Sequence, residues 1–215
     1  MMKLTRGQTM DDATRAAFAS GRAEPSLGLF IDTLFQMRGI SETEGEAIAG
    51  AALEGEAPAE LSPNALDMAL AAIERGGPKK PKAKLIYPEL AGVPATLQDA
   101  ILAAESRRAW GWAGRGIKRL PLISDGATTA EIIRLEAGVK IPWHGHKGQE
   151  LTLCIFGEFS DSRGTYAPGD FSISGPTIRH QPVAHDKGPV YALAVTDAGL
   201  KFEGLLGAFQ KFFGG

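Results

Sequence analysis

The chain has 215 residues, a formal net charge of −2 and a hydrophobic content of 44%. These values allow one large or two small domains with hydrophobic cores, and the near-neutral charge gives no reason to expect nucleic-acid binding. No apolar run is long enough to cross a membrane and the N-terminus has no apolar signal core, so we expect a soluble cytoplasmic protein without membrane contact. The single cysteine, Cys154, excludes a disulfide framework and a zinc site built from several thiolates of this chain.

The N-terminal part of the chain is rich in Ala, Glu and Leu and has the periodicity of short helices. Helices are predicted over residues 11–20, 26–37, 42–53 and 63–75, because apolar residues recur at three- and four-residue steps between helix start and stop signals. These segments contain few large apolar side chains. We therefore expect a small helical module that needs a partner to cover its apolar faces.

Residues 76–84 combine Gly, Pro and four lysines, which predicts a solvated linker rather than a nucleic-acid contact, because no aromatic residues lie among the lysines. One more helix is predicted over 97–106. Short strand-like runs separated by turn residues follow it, at 117–123, 129–136, 151–156, 169–173 and 190–196. Regular short strands indicate an all-β sandwich or barrel. The predicted fold class is α+β, with a helical module at 1–78, a linker at 79–84 and a β-barrel domain at 85–215.

All four histidines of the chain lie between positions 144 and 185, and this concentration indicates a site. His144 and His146 are two residues apart, so their imidazoles share one face of an extended strand. Gly148 permits a turn after which Glu150 points back to the same place, and His180 from a later strand adds a fourth ligand. This donor set suits one divalent transition metal, for which we expect zinc, with iron, nickel, copper or manganese as alternatives.

Five other residues could belong to the site but are interpreted as having a structural rather than a functional role. His185 lies in a turn and is expected to be exposed rather than ligating. Cys154 has the strand parity of the interior and is interpreted as a small buried apolar residue rather than a redox thiol. The three tryptophans of the chain either line the pocket or pack the core, and we favour packing for all of them: Trp110, Trp112 and Trp143.

The histidine segment resembles the first motif of the cupin family, which is a Gly, five residues, His-x-His, three or four residues, Glu, six residues and a Gly. The matching positions are Gly138, His144, His146, Glu150 and Gly157. The second cupin motif is matched less closely, since Pro176 precedes His180 by four residues but Ala184 stands where Asn is usual. The resemblance implies a double-stranded β-helix, or jelly-roll, barrel with the four proposed ligands inside. It assigns no catalytic residue and no organic cofactor.

The order of helical module, linker and cupin resembles the ChrR group of anti-sigma factors. The matching segments are His144-Gly-His146, Glu150-Leu-Thr-Leu, Pro168-Gly169-Asp170, His180-Gln-Pro-Val, Ala194-Val-Thr-Asp197 and the aromatic tail at 209–213. The resemblance implies a transcription regulator of an oxidative stress response. In that group the helical module binds an extracytoplasmic-function (ECF) sigma factor, and the metallocupin senses an oxidant or ligand. The zinc motif of the group's N-terminal domain, His-x-x-x-Cys-x-x-Cys, reads Asp32-Thr-Leu-Phe-Gln36-Met-Arg-Gly39 here, so we expect no N-terminal zinc.

Two other functions remain open. A dioxygenase-like cupin enzyme acting on a small dicarbonyl or phenolic substrate would use an open position on the metal. Against it, Glu131, Glu136 and Glu158 are interpreted as surface charges rather than as a general base. A closed zinc site that only stabilises the barrel is the other alternative. We expect a regulator rather than an enzyme, and we weigh a homodimer through barrel edges or the apolar tail at 205–213 equally with packing of that tail on its own barrel.

Overall fold

The computed structural model describes residues 24–40, 60, 62–74, 84–124, 127–197 and 200–202. Its α-helices in these ranges are α1 (Pro25–Arg38), α2 (Ala65–Glu74) and α3 (Ala95–Arg107), and a 3-10 helix covers Pro88–Gly92. The helices predicted at 26–37, 63–75 and 97–106 are thus confirmed within two residues at each end. The helices predicted at 11–20 and 42–53, most of the linker and the aromatic tail lie outside the described residues.

The barrel is built from short antiparallel strands. In the described part of the chain they are β1 (Gly111–Gly114), β2 (Ile117–Ile123), β3 (Thr129–Leu135), β4 (His144–His146), β5 (Glu150–Phe156), β6 (Phe159–Asp161), β7 (Gly164–Tyr166), β8 (Phe171–Ser174), β9 (Arg179–His180), β10 (Val183–Ala184), β11 (Val190–Thr196) and β12 (Leu200–Phe202). One sheet has the order β1-β2-β3-β11-β5-β8, and two smaller sheets have the orders β10-β6-β7 and β12-β4-β9. Strands that are distant in sequence are neighbours, as in a jelly roll. The predicted α+β class is confirmed.

The large sheet has one face under the helices and one face inside the barrel. Leu193 of β11 lies opposite Ile132 of β3 and Leu153 of β5, and all three belong to the main hydrophobic core together with residues of α1 and α3. Among the alternate residues of the same strands, Cys154 belongs to a second, smaller cluster and Ile133 packs against that cluster. Successive side chains of a strand point to opposite faces, so the second cluster is the interior of the barrel.

Helix α1 shares the main core of the barrel, although the sequence places it in the helical module. Phe30 is completely buried, and its ring meets the ring of Phe171 edge to face at a centroid distance of 6.0 Å. Arg38 Nε donates a hydrogen bond of 2.8 Å to the carbonyl of Gly169. The helix ends at Gly39, which caps it in the left-handed conformation. The domain boundaries at 78 and 85 stay a prediction.

Helix α2 presents a different surface. Its large apolar side chains are exposed, namely Leu66, Met68, Leu70 and Ile73. They are what the sequence predicts for a module that needs a partner to cover its faces. No helix among the described residues has the length and apolarity needed to cross a membrane.

Candidate metal centre

Four buried side chains meet at one place in the barrel, and they are the four that the sequence predicts as ligands. His144 and His146 lie on β4, Glu150 begins β5 and His180 lies on β9. One ligand atom from each residue lies within 4.8 Å of the other three. Strand pairing explains part of the convergence, because β4 pairs with β9 and places His144 opposite His180.

The distances between the ligand atoms fit a single metal ion. His180 Nε2 lies 2.9 Å from His144 Nε2 and 3.0 Å from His146 Nε2. Glu150 Oε2 lies 3.7 Å from His146 Nε2 and 3.8 Å from His180 Nε2. Ligand atoms about 2.1 Å from a tetrahedral zinc ion would lie about 3.4 Å apart, which falls between these values. The residues present therefore fit a divalent transition metal.

The histidines are held in the form that binds metals. His144 Nδ1 lies 2.8 Å from the carbonyl of Pro142, and a carbonyl only accepts, so Nδ1 carries the proton and Nε2 offers a lone pair. Burial lowers the pKa of His144 to about 4. Burial together with the neighbouring imidazoles lowers the pKa of His146 to about 4 as well. Both rings are therefore neutral at pH 7, as metal ligation requires.

Glu150 supplies the negative charge of the cluster. Burial raises the pKa of its carboxyl group, and Thr152 Oγ1 donates a hydrogen bond of 3.0 Å to Oε2. A buried carboxylate is costly unless it is paired with a cation or coordinates a metal. His146 Nδ1 is also buried and has no hydrogen-bond partner among the described residues. A bound cation would compensate the charge of Glu150 and fix the ring of His146.

A second layer behind the ligands was not found from the sequence. Asp161 at the end of β6 lies against His180, with their side chains 1% and 2% exposed, and Arg163 forms a 2.8 Å ion pair with Asp161. Burial alone would raise the pKa of Asp161, but hydrogen bonds from His180 and Arg163 outweigh it and hold the pKa well below its usual range. The only signal in the sequence is the Asp-Ser-Arg-Gly turn at 161–164, which does not reveal that it meets His180.

The surface interpretation is wrong for Glu131. It lies on the inner face of β3, its side chain is only 14% exposed, and Arg119 donates to its two carboxylate oxygens at 2.7 and 2.5 Å. The sequence interpretation failed because Glu131 alternates with apolar residues and its partner is on another strand. Glu136 and Glu158, by contrast, are exposed as expected.

The structure confirms the interpretation of Cys154 and Trp110 and places His185 outside the ligand cluster. Cys154 is buried in the inner apolar cluster, and burial raises the pKa of its thiol to about 12, so it is not a reactive thiolate at pH 7. His185 pairs with the exposed Glu158 outside the ligand cluster. Trp110 packs edge to face on Tyr87, as predicted.

The core interpretation is wrong for two tryptophans. Trp112 is 80% exposed and Trp143 is 48% exposed. Trp112 lies on β1, an edge strand of the large sheet, and Trp143 immediately precedes β4. Large aromatic residues are buried on average, so composition alone favoured the interior for both.

The backbone conformation and a close contact explain why glycine occupies position 157 of the motif. It has a positive φ of 77°, and a Cβ atom at this position would lie 2.5 Å from the carbonyl oxygen of Pro189. Only glycine tolerates both conditions without local movement. Gly157 thus allows the chain to turn after β5 in close contact with the carbonyl of Pro189.

The strand order and the buried cluster of three histidines and one glutamate define the C-terminal part of the chain as a cupin domain. Residues 98–197 match the family described as the ChrR cupin-like domain. The chain is 29% identical over 208 residues to the anti-sigma-E factor ChrR of Cereibacter sphaeroides, covering 95% of this chain and 96% of the relative.

A solved structure is similar over nearly the same extent. It is a chain of the crystal structure of Rhodobacter sphaeroides SigE in complex with the anti-sigma ChrR, with 25% identity, a TM-score of 0.64 and coverage of 88% of this chain and 98% of that chain. The predicted resemblance to the ChrR group is confirmed.

The N-terminal zinc motif of that group is missing, since residues 1–143 contain no Cys or His. In its place, Gln36 Nε2 donates a 2.8 Å hydrogen bond to Asp32 Oδ2 within α1, and Gly39 caps the helix. Helix α1 carries this exposed hydrogen bond, ends at its glycine cap and packs into the main core of the barrel.

Proposed function

We propose that this protein is a cytoplasmic anti-sigma factor whose N-terminal helices bind an ECF sigma factor and whose metallocupin domain senses an oxidant or another ligand. The observation that carries the proposal is that the similarity to ChrR extends over 95% of the chain, so it includes the helical part as well as the cupin. The relative has a regulatory name rather than an enzymatic one, which supports a regulator over the metalloenzyme alternative.

The exposed face of α2 supports a protein partner at the helical part. Leu66, Leu70 and Ile73 together present a large apolar surface among the described residues. Surfaces of this kind on a soluble protein mark interaction sites. The packing of α1 on the barrel supports binding without an N-terminal zinc, because the apolar core supplies the anchorage of that helix.

The proposed sensor is zinc held by His144, His146, Glu150 and His180. Bound there, zinc would supply a Lewis-acidic positive charge among four buried side chains. A signal acts through such a site only if it favours one conformation of the protein over another. The contact between α1 and the barrel is where a change in the cupin domain would reach the helical part.

The test is affinity purification of the full-length protein from its native cells, followed by mass spectrometry of the co-purified proteins. We expect an ECF sigma factor with the full chain and its loss from the variant Leu66→Glu, Ile73→Glu. The matched control is Asp67→Glu, which changes the same helix without altering its apolar face. Absence of a sigma factor from the full chain under gentle conditions would contradict the proposal. Retention of the sigma factor by the double variant would contradict the assignment to α2.

A further inference from the structure

Asp161 and Arg163 form a buried polar network around the outer nitrogen of His180. Asp161 Oδ2 lies 3.3 Å from His180 Nδ1. The Asp161 carboxylate also accepts hydrogen bonds from Arg163, at 3.1 Å from Nε, 2.8 Å from Nη2 and 2.8 Å from the backbone nitrogen. The turn that joins β6 to β7 therefore holds the carboxylate in a fixed position.

Arg163 in turn is tied to strand β8. Its Nη1 donates a hydrogen bond of 2.6 Å to the carbonyl of Ile173, and its Nη2 donates a hydrogen bond of 2.9 Å to Ser174 Oγ. Ser174 lies opposite Glu150 in the pairing of β5 and β8. The guanidinium group thus joins the hairpin that carries Asp161 to the strand beside a proposed ligand.

Two neighbours compete for His180 Nδ1, and they require opposite tautomers. Asp161 as an anion only accepts, which requires a proton on Nδ1. Arg163 Nη2, at 3.4 Å, only donates, which requires a lone pair on Nδ1. Arg163 Nη2 has two hydrogens, and they already have acceptors in Asp161 and Ser174. No hydrogen remains for His180, so the geometry favours donation from Nδ1 to Asp161.

We propose that Asp161 is a positioning residue for the metal: it keeps the His180 proton on Nδ1, so that the Nε2 lone pair faces His144 and His146, while Arg163 holds Asp161 in place. This inference rests on the proposed metal site. With this tautomer, the lone pairs of His144 Nε2 and His180 Nε2 face each other at 2.9 Å. Two facing lone pairs repel unless a cation lies between them, which is the arrangement of a metal centre with an oriented second layer.

The experiment compares the full-length wild type with Asp161→Asn and with the control Glu158→Gln. Glu158 also pairs with a histidine, His185, but at the surface and outside the cluster. The amide of Asp161→Asn can donate to Nδ1 and thereby move the proton to Nε2. We expect zinc affinity, measured by competition with a chromophoric chelator, to fall about 10- to 100-fold in Asp161→Asn and to stay unchanged in Glu158→Gln.

The tautomer itself is measured by the ¹⁵N chemical shifts of the His180 ring in the metal-free protein. We expect the proton on Nδ1 in the wild type and in Glu158→Gln, and on Nε2 in Asp161→Asn. A purely structural role for Asp161 would lower the melting temperature without moving the proton. The wild-type spectrum needs no variant, so misfolding of Asp161→Asn does not leave the question open.

The outcomes separate the two proposals. If the wild type binds no zinc, the metal site is wrong, whatever the tautomer is. If the wild type binds zinc but carries the His180 proton on Nε2 when metal-free, or if Asp161→Asn binds zinc as tightly as the wild type, the metal site stands and the positioning role of Asp161 is overturned.

Discussion

The two faces of the large sheet differ in what they are built to do. The outer face carries apolar residues such as Leu193, which belong to one hydrophobic core with Phe30 and Ile101 of the helices. The inner face carries polar groups at one end, with Glu150, Thr152 and the Glu131–Arg119 pair near the histidines. The comparison teaches that stability and chemistry are divided between opposite faces of the same strands. Changes to one face should therefore leave the other largely intact.

The largest effect is expected on the outer face. Phe30→Ala removes a completely buried ring from the contact with Phe171, and we expect a loss of about 3–5 kcal/mol in the free energy of unfolding. The measurement is chemical denaturation of the metal-free protein. Leu66→Ala, on the exposed face of α2, is the control and should change it by less than about 0.5 kcal/mol. Equal losses in the two variants would show that α1 does not pack on the barrel.

The buried histidines of the inner face should make the stability of the metal-free protein depend on pH. The pKa values of His144 and His146 are lowered to about 4 in the folded state, so between about pH 4 and 6.5 the unfolded state binds protons that the folded state does not. The metal-free protein should therefore gain stability as the pH rises through this window, and the opposite titration of Glu150 makes the net gain smaller than the two histidine shifts alone would give. Denaturation at several pH values measures it.

The titration of Glu150 changes the stability of the metal-free protein in the opposite direction over the same pH range. Its folded-state pKa is raised, so its contribution is present at low pH and is lost as the pH rises above its ordinary value of about 4.5. Asp161, with its lowered pKa, titrates below this window. Glu150→Gln should consequently make the gain between pH 4 and 6.5 steeper than in the wild type. A flatter profile in Glu150→Gln would mean that the carboxyl group is not buried as described.

An intermediate effect is expected at the turn after β5. Gly157→Ala places a Cβ against the carbonyl oxygen of Pro189 at a positive φ, and we expect a loss of about 1–3 kcal/mol in the free energy of unfolding. Gly175→Ala is a matched control, because a Cβ there meets nothing within 4 Å and no positive φ is required. If both variants are equally stable, the turn relaxes and Gly157 has no steric role.

The smallest effect is expected for the polar tie between α1 and the barrel. Arg38→Met keeps the length of the side chain but removes the hydrogen bond to the carbonyl of Gly169, and we expect a loss of about 1 kcal/mol. Hydrogen exchange of the α1 amides is the second readout, and it should speed up in Arg38→Met more than in Arg38→Lys. Unchanged exchange would show that apolar packing alone fixes the helix.

Local patterns predicted much of this molecule. Short strand-like runs bounded by turn residues predicted strands such as Ile117–Ile123, and the fixed spacing of His144, His146 and Glu150 predicted that their side chains share one site. These predictions succeeded because they depend on residues that are only a few positions apart in the sequence.

The features that were missed depend on long-range pairing. Asp161 meets His180 only through the barrel topology, and Arg119 of β2 meets Glu131 of the neighbouring strand β3. Helix α1 could not be assigned to the barrel from its sequence, because an apolar helical face does not specify what it packs against. Trp112 was misjudged since composition gives only the average burial of a residue type.

The central claim is that His144, His146, Glu150 and His180 bind one metal ion, and the most direct measurement is the metal content of the purified full-length protein. Elemental mass spectrometry should find about one equivalent of zinc per chain in the wild type and in Glu158→Gln, and almost none in His144→Ala, His180→Ala. The double variant must retain its circular dichroism spectrum for the comparison to hold. A wild-type protein without a transition metal after purification and zinc reconstitution, or a folded double variant with undiminished zinc, would contradict the account.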